Sequence, residues 1–438
     1  MISALLLALA MQAQDTTRLT LQHVVERALT THPAVASARA VVDRSAADLS
    51  DARSRRLPGL NFDAAINRFE KPMIVSPLHG LDLRNPPLFD RTPYQAGLSL
   101  NWTVFDFGRR SAQIRAQSAL REAADDALTS TEQQLTAATV HAYLAVLDAR
   151  QTLAARDRLV AALRAAEDRT RQLEAQGKAA RVDVLRMNAE VARAQADRIT
   201  IVSQLDVAEH ALAQFADIPF ENVHGATLAP LALADTSAVA DAGLVPRALR
   251  TSSDLRELEQ QSQAARAGVS AARATRLPTV QMQGAYIDRG RWAGNYAAEW
   301  QVGLAMSYPV FTGGSRASAV QRASANERLA AERVRAARLD VTQQIDQNLA
   351  TLREAHARVA ALESAVAQSQ EVERIEKLAL DVGTVVQTDY LDAEAKLYSA
   401  QASLIQARHA EIAARVDLAG TLGDLSRDWL ARNVESLP

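Results

Sequence analysis

The stretch Asn101-Trp-Thr-Val-Phe-Asp-Phe-Gly-Arg-Arg110 marks a change of periodicity. Leading into it, Ala96, Leu98, Leu100 and Trp102 alternate with Gln95, Gly97, Ser99, Asn101 and Thr103, which is the period of a strand. Beyond it the chain runs from 109 to 176 without a proline, as one long helix would. The letters Asp106-Phe107-Gly108 match the magnesium-holding tripeptide of protein kinases. No glycine-rich phosphate loop, strand lysine or His-Arg-Asp loop precedes them, so that chemistry is excluded. A second passage, Val310-Phe-Thr-Gly-Gly-Ser315, keeps the Val-Phe pair and lacks the aspartate. Gly108, Gly313 and Gly314 therefore predict corners where a strand turns sharply into a helix, since glycine tolerates backbone angles that other residues avoid.

The two passages belong to a chain written twice. Val25-Glu-Arg-Ala-Leu29 aligns with Val245-Pro-Arg-Ala-Leu249, and Arg56-Leu-Pro58 with Arg276-Leu-Pro278, both at an offset of 220. Val104-Phe105 aligns with Val310-Phe311, Gly177, Asp183 and Leu185 with Gly383, Asp389 and Leu391, and Leu212 with Leu418, all at 206. The register slips once, by 14 residues, between Pro58 and Val104. The expected layout is a first repeat over 18–216, with a helix over 33–57, a β-hairpin over about 58–106, a long helix over 108–176 and a return helix over 182–216. A linker over 217–242 leads to a second repeat over 243–424, with a helix over 253–277, a hairpin over about 278–311, a long helix over 314–382 and a return helix over 388–424. Residues 425–438 are left as a tail, and 1–13 read as a secretory signal with Ala8-Leu9-Ala10 at its cleavage site, although no basic residue precedes the apolar run.

Helices of this length reach about 100 Å at 1.5 Å per residue and need partners along their sides. Val341, Ile345, Leu352, Ala355, Val359, Leu362 and Val366 keep heptad spacing, broken only by Asn348. Gly177 and Gly383 end the rods, as glycine does at helix C-termini. Asp183 and Asp389 follow near the starts of the return helices, where the helix dipole favours an acid.

Four segments alternate: Leu60 to Ile66, Ala96 to Trp102, Val280 to Tyr286 and Val302 to Tyr308. A soluble two-sheet domain alternates in the same way. Three details favour a membrane. The opposite face carries Asn, Gln, Ser and Gly, which suits a wet lumen. Trp102, Phe105, Phe107, Tyr308 and Phe311 bracket one end of the strands and Tyr94, Tyr296 and Trp300 the other, like interfacial girdles. The 71–93 loop holds Pro72, Pro77, Pro86, Pro87 and Pro93, which suits an extracellular turn. On that reading Leu98, Leu100, Trp102, Val302, Leu304, Met306 and Tyr308 face lipid. Four strands cannot close alone and lipid forbids open edges, so copies must share one barrel; three copies give twelve strands.

Composition narrows the function. Of 438 residues, 49 are Lys or Arg and 51 are Asp or Glu, so no broad basic field invites nucleic acid. The absence of cysteine excludes disulfides, thiolate metal sites and cysteine nucleophiles. The eight histidines have no metal-ligand spacing, and neither a G-x-S-x-G nor a Walker A motif occurs. No cofactor, metal or enzymatic activity is expected.

The doubled strand–rod–return order, the Val-Phe corners, and the pair Gly177-Lys-Ala-Ala-Arg-Val-Asp-Val-Leu185 and Gly383-Thr-Val-Val-Gln-Thr-Asp-Tyr-Leu391 resemble the TolC-type outer-membrane efflux family over nearly the whole chain. The resemblance implies an α+β membrane protein. It implies a homotrimer with a twelve-stranded outer-membrane barrel, continued by a periplasmic α-helical barrel. Short helices at 18–32 and 243–251 would form a belt. Such a channel exports small molecules or polypeptides handed over by an inner-membrane transporter, proton-driven or ATP-driven, and a periplasmic adaptor. By position in the family, Gly177, Lys178, Gly383 and Thr384 are the adaptor-docking tips. Asp389 and Asp392 line the entrance, and Asp183 belongs to a latch whose usual arginine and tyrosine positions are here Val385 and Leu380. The residues alone leave another reading open for each acid, a helix cap for Asp183 and Asp389 and a solvated surface acid for Asp392. They also leave open a soluble periplasmic coiled-coil scaffold or adaptor.

Overall fold

The computed structural model describes residues 18–75, 84, 88–235, 243–291 and 294–437. The expected signal at 1–13 and Pro77, Pro86 and Pro87 lie outside them. In chain order the elements are α1 (Leu21–Thr31), α2 (Pro33–Ser54), β1 (Gly59–Ile66), β2 (Met73–Ile74), β3 (Phe89–Asp90), β4 (Pro93–Phe105), α3 (Arg109–Ala175) and α4 (Arg181–Ala216). They continue with α5 (Phe220–Val223), β5 (Leu231–Leu233), α6 (Leu244–Thr251), α7 (Ser253–Ala274), β6 (Thr279–Arg291), β7 (Gly294–Ser307), α8 (Ser315–Asp381), α9 (Gln387–Thr421), α10 (Arg427–Asn433) and β8 (Val434–Ser436). The proline-free stretches are thus α3 and α8, each 67 residues long.

The chain divides into two compact units. One comprises Ala40–Asp126 and Arg256–Ala336 and holds a four-stranded antiparallel sheet in the order β1-β4-β6-β7. Its register sorts the side chains. Leu60 faces Leu100, Phe62 faces Leu98, and Leu98 faces Tyr286. Leu100 faces Gly284, which faces Val302, and Trp102 faces Met282, which faces Leu304. Successive residues point to opposite faces, so these apolar side chains share one face and Asn61, Ser99, Asn101, Gln281, Gln283 and Gln301 share the other.

The other unit, Met1–Arg39, Ala127–Leu255 and Ala337–Pro438, holds the hydrophobic core. Leu21, Val24 and Val25 of α1 pack there with Val140, Tyr143 and Val146 of α3, Leu212 of α4 and Ile412 and Val416 of α9. A second cluster joins Leu244 and Ala248 of α6 to Val341, Ile345, Leu349 and Leu352 of α8 and Leu418 of α9. The heptad seam is buried at its N-terminal end, from Val341 to Ala355, with Leu349 as an additional member. Asn348 breaks the pattern because its amide donates to the Asp417 carbonyl at 3.3 Å and to Thr421 Oγ1 at 2.8 Å. The segment after 424 is built into this unit. Leu430 and Val434 are buried, and β8 pairs antiparallel with β5.

Candidate functional site

The sheet's apolar face is bare. Leu60, Phe62, Val302, Leu304 and Met306 are each at least 60% exposed. Leu98 and Tyr308 are exposed as well, while Leu100 and Trp102 are half-buried. A continuous apolar face over four strands is far more than the scattered exposed residues of a soluble surface. β1 and β7 each keep one unpaired edge. No helix among the described residues is long and apolar enough to cross a membrane.

At the corners, Phe107 (φ +53°) and Gly108 (φ +82°) turn the chain from β4 into α3, and Gly313 (φ +58°) and Gly314 (φ +83°) turn it from β7 toward α8. The first corner thus puts a phenylalanine where the second has glycine, in a conformation that disfavours bulky side chains. Asp106 is buried beside it. Its Oδ2 accepts from Arg110 N at 3.1 Å and Arg110 Nε at 2.8 Å, while Arg110 donates also to the Arg55 carbonyl at 3.0 Å. The carboxylate is a structural clamp on the corner.

The rod ends share one construction. Lys178 N donates to Leu173 O and Gly177 N to Glu174 O, both at 2.8 Å, with Gly177 at φ +72°. Thr384 N donates to Ala379 O at 2.9 Å and Gly383 N to Leu380 O at 3.0 Å, with Gly383 at φ +77°. Both are Schellman caps, which satisfy the last helical carbonyls and free the chain to reverse.

The three acids sit at the starts of the return helices. Asp183, in the first turn of α4, accepts from Ala180 N at 3.3 Å and lies 3.6 Å from Arg186. Asp389, in the first turn of α9, is exposed. Asp392, one turn on, is held by Lys396 at 2.6 Å. That pairing, absent from the sequence reading, offsets part of the negative charge expected of the Asp389–Asp392 pair. Asp392 also borders a cavity of about 480 Å³ with Leu159 and Leu163 of α3, Met187 and Ala194 of α4, and Leu391. Val385 and Leu380 are both half-buried.

Two buried glutamates and four histidines take structural roles that spacing alone does not reveal. Glu209 is buried and receives Arg150 at 2.6 Å and His224 Nδ1 at 2.7 Å. Glu411 is buried against His356 at 3.0 Å and Arg415 at 3.7 Å. His141 of α3 meets Asp417 of α9 at 2.8 Å, and Asp148 of α3 meets His409 of α9 at 2.5 Å. The hydrogen bond that Asp417 accepts raises the His141 pKa against the opposing effect of burial. Apart from Glu411 with Arg415, one helical turn apart, these pairs join residues 15 to 276 positions apart, which is why spacing did not reveal them. No group of three such residues among those described could hold a metal ion.

A sheet with one bare apolar face, tight corners and long helices reversed at capped ends defines the class of outer-membrane proteins that carry long helices. The profile of the family described as "Outer membrane efflux protein" matches residues 24–216 and again 244–424. The chain belongs to that family. It is 26% identical over 434 residues to the outer membrane protein TolC of Escherichia coli, covering 94% of this chain and 84% of that one. It is 23% identical over 415 residues to TolC of Vibrio cholerae, covering 93% and 91%. The crystal structure of the Campylobacter jejuni CmeC outer membrane channel superposes with a TM-score of 0.78 at 14% identity, covering 94% of this chain and 88% of that one.

Proposed function

We propose that three copies of this chain form a channel-tunnel that carries small molecules or polypeptides out through the outer membrane. The observation that carries this reading is the open four-stranded sheet with one bare apolar face. Unpaired edges in lipid cost several kcal/mol per orphaned group, so β1 of one copy pairs with β7 of the next and the ring closes at twelve strands. The polar face then lines the lumen. The twofold match to the family profile supports an internal repeat, in which α3 with α4 and α8 with α9 supply equivalent walls of a periplasmic helical barrel. The protein is a passive conduit rather than an enzyme. A periplasmic adaptor docks at the tips around Gly177, Lys178, Gly383 and Thr384 and couples the channel to an inner-membrane transporter. Asp389 forms the acidic ring at the entrance, with Asp392 tempered by Lys396. Asp183 caps α4, and with Val385 and Leu380 in the latch positions the closed entrance relies on apolar packing.

Planar bilayers test the reading. The purified protein gives discrete cation-preferring channels blocked by divalent cations, and Asp389→Ala weakens the block more than Asp392→Ala. A heat-resistant monomer that gives no channels removes the trimeric pore, and unchanged block in both variants removes the acids from the entrance.

A further inference from the structure

The sheet register brings four chain reversals to one end: the start of β1, the end of β4, the start of β6 and the end of β7. Arginines crowd that end. Arg53, Arg55 and Arg56 lead into β1, and Arg109 and Arg110 follow β4. Arg273 and Arg276 lead into β6, and Arg316 follows β7. Against these eight stand two acids, Asp51 and Asp106, already engaged with Arg55 at 2.7 Å and Arg110 at 2.8 Å. None of the other six arginines has a carboxylate within ion-pair distance among the described residues. Arg56 donates to the Ser111 hydroxyl at 3.1 Å and Arg316 to the Thr275 carbonyl, so their charge is positioned without being neutralised. The opposite end of the sheet is mixed, with Arg289 paired to Glu299 at 3.0 Å.

The arginines also stand in a definite order relative to the apolar face. Trp102, on that face, donates its indole N–H to the Arg56 carbonyl at 2.8 Å, which sets the end of α2 directly under it. Phe105 and Phe107 pack edge to face at 4.6 Å beside the same corner, and Phe311 is almost fully exposed. Along the sheet the sequence is apolar face, aromatic belt, then uncompensated guanidinium groups. A bilayer presents the matching layers of hydrocarbon, interface and phosphate.

We propose that this arginine collar binds the phosphate groups of anionic phospholipid in the leaflet facing the periplasm. The guanidinium fork suits phosphate, since it donates two parallel hydrogen bonds and remains charged at any physiological pH. The proposal rests on the reading that the sheet spans the outer membrane. It adds a lipid class to that reading: the collar selects headgroups with net negative charge and fixes the depth at which the sheet sits.

The full-length protein is reconstituted into nanodiscs of phosphatidylcholine containing about one part in five phosphatidylglycerol, and the lipids retained by the released trimer are counted by native mass spectrometry. Phosphatidylglycerol is enriched over its bulk share. Arg53, Arg56, Arg273 and Arg276, all exposed, are changed together to glutamine. The enrichment is lost, a fall of up to about fivefold, which is the ceiling set by a one-in-five bulk share and about the strength of a single basic residue at an anionic surface. The matching lysine variant retains most of the enrichment, whereas Arg333→Gln, exposed on α8 away from the corners, changes nothing. Equal lipid retention by wild type and the glutamine variant overturns the collar. So does stabilisation of the detergent-solubilised protein by inorganic phosphate equal to that by phosphatidylglycerol, which would make the site one for free anions. Failure of the protein to insert in any lipid refutes the membrane reading instead, and bilayer channels from the glutamine variant keep the two outcomes apart.

Discussion

Tyr143 is a fully buried side chain of α3 whose hydroxyl lies 2.8 Å from the carbonyl oxygens of both Leu19 and Ala229. The two segments also bridge directly, Leu19 N donating to Thr227 O at 2.9 Å, and burial pushes the phenol pKa up, which keeps it a neutral donor. Tyr143→Phe keeps the ring and removes the hydroxyl donor from the Ala229 carbonyl, while Leu19 O still accepts from Ala229 N at 3.2 Å. It lowers stability by about 1–3 kcal/mol, the range for an orphaned buried acceptor, read as an earlier denaturation midpoint. Asp106 makes the contrasting case. Its side chain and that of Arg110 are nearly buried, at 6% and 13% exposure. Asp106→Ala strands the guanidinium and costs about 3–5 kcal/mol, while Asp106→Asn, which still accepts from Arg110 N, costs less. Denaturation of the two variants side by side checks the order; equal loss would mean that the charge is irrelevant. Neither residue's role was legible in the sequence. Tyr143 shows only as one more apolar position in a helix, and Asp106 was read for the tripeptide it heads. The partners that define both roles are supplied by the fold.

At the scale of the element, α3 and α9 are joined by reciprocal histidine–aspartate pairs, His141 with Asp417 and Asp148 with His409, with Gln406 donating to Thr152 at 3.0 Å just below. The His141 pKa is raised in the fold by its bond to Asp417. A group whose folded pKa is raised contributes stability that is complete below the unfolded value and is lost as pH climbs through the folded one. The α3–α9 seam therefore loosens with alkali, from just above the ordinary histidine value near 6.5 upward. The pair is half-exposed, so the effect stays below about 1 kcal/mol. The thermal midpoint of wild type falls across that window, and His141→Gln flattens the fall; an identical slope in both proteins would assign the pH dependence elsewhere. Much at this scale was visible beforehand. A proline-free run bounded by Gly177 or Gly383 is read as a helix because nothing inside interrupts it and glycine supplies the positive φ of its cap. The invisible part is what holds the helices side by side. Alanine, serine and histidine on α9 carry no strong periodic signal, and their pairing with α3 spans more than 250 residues.

At the scale of the whole molecule, function turns on which way the sheet faces. Period-2 alternation assigns Leu98, Val302 and Leu304 to one face from sequence alone, because each strand obeys the same geometry regardless of its neighbours. What the sequence could not supply is the register that aligns four such strands, or that β4 pairs with β6 across the two halves. That pairing turns four amphipathic strips into one apolar surface with two free edges, and the choice between lipid and a second protein layer follows from it. A pair of adjacent substitutions tests the choice. Val302 and Gln301 are both exposed near the middle of β7 and lie on opposite faces. If Val302 meets hydrocarbon, Val302→Arg costs about 2–4 kcal/mol per copy, as for a cation at mid-depth on a barrel exterior, and three copies multiply the loss. Heat-modifiable trimer in the outer-membrane fraction should then drop sharply. On the same reading Gln301→Arg lies in the lumen, leaves assembly intact and shifts single-channel conductance toward anions. A packed second layer of protein on either face would reverse or erase this asymmetry, because an arginine would then be rejected from a dry interior and accepted wherever water reaches.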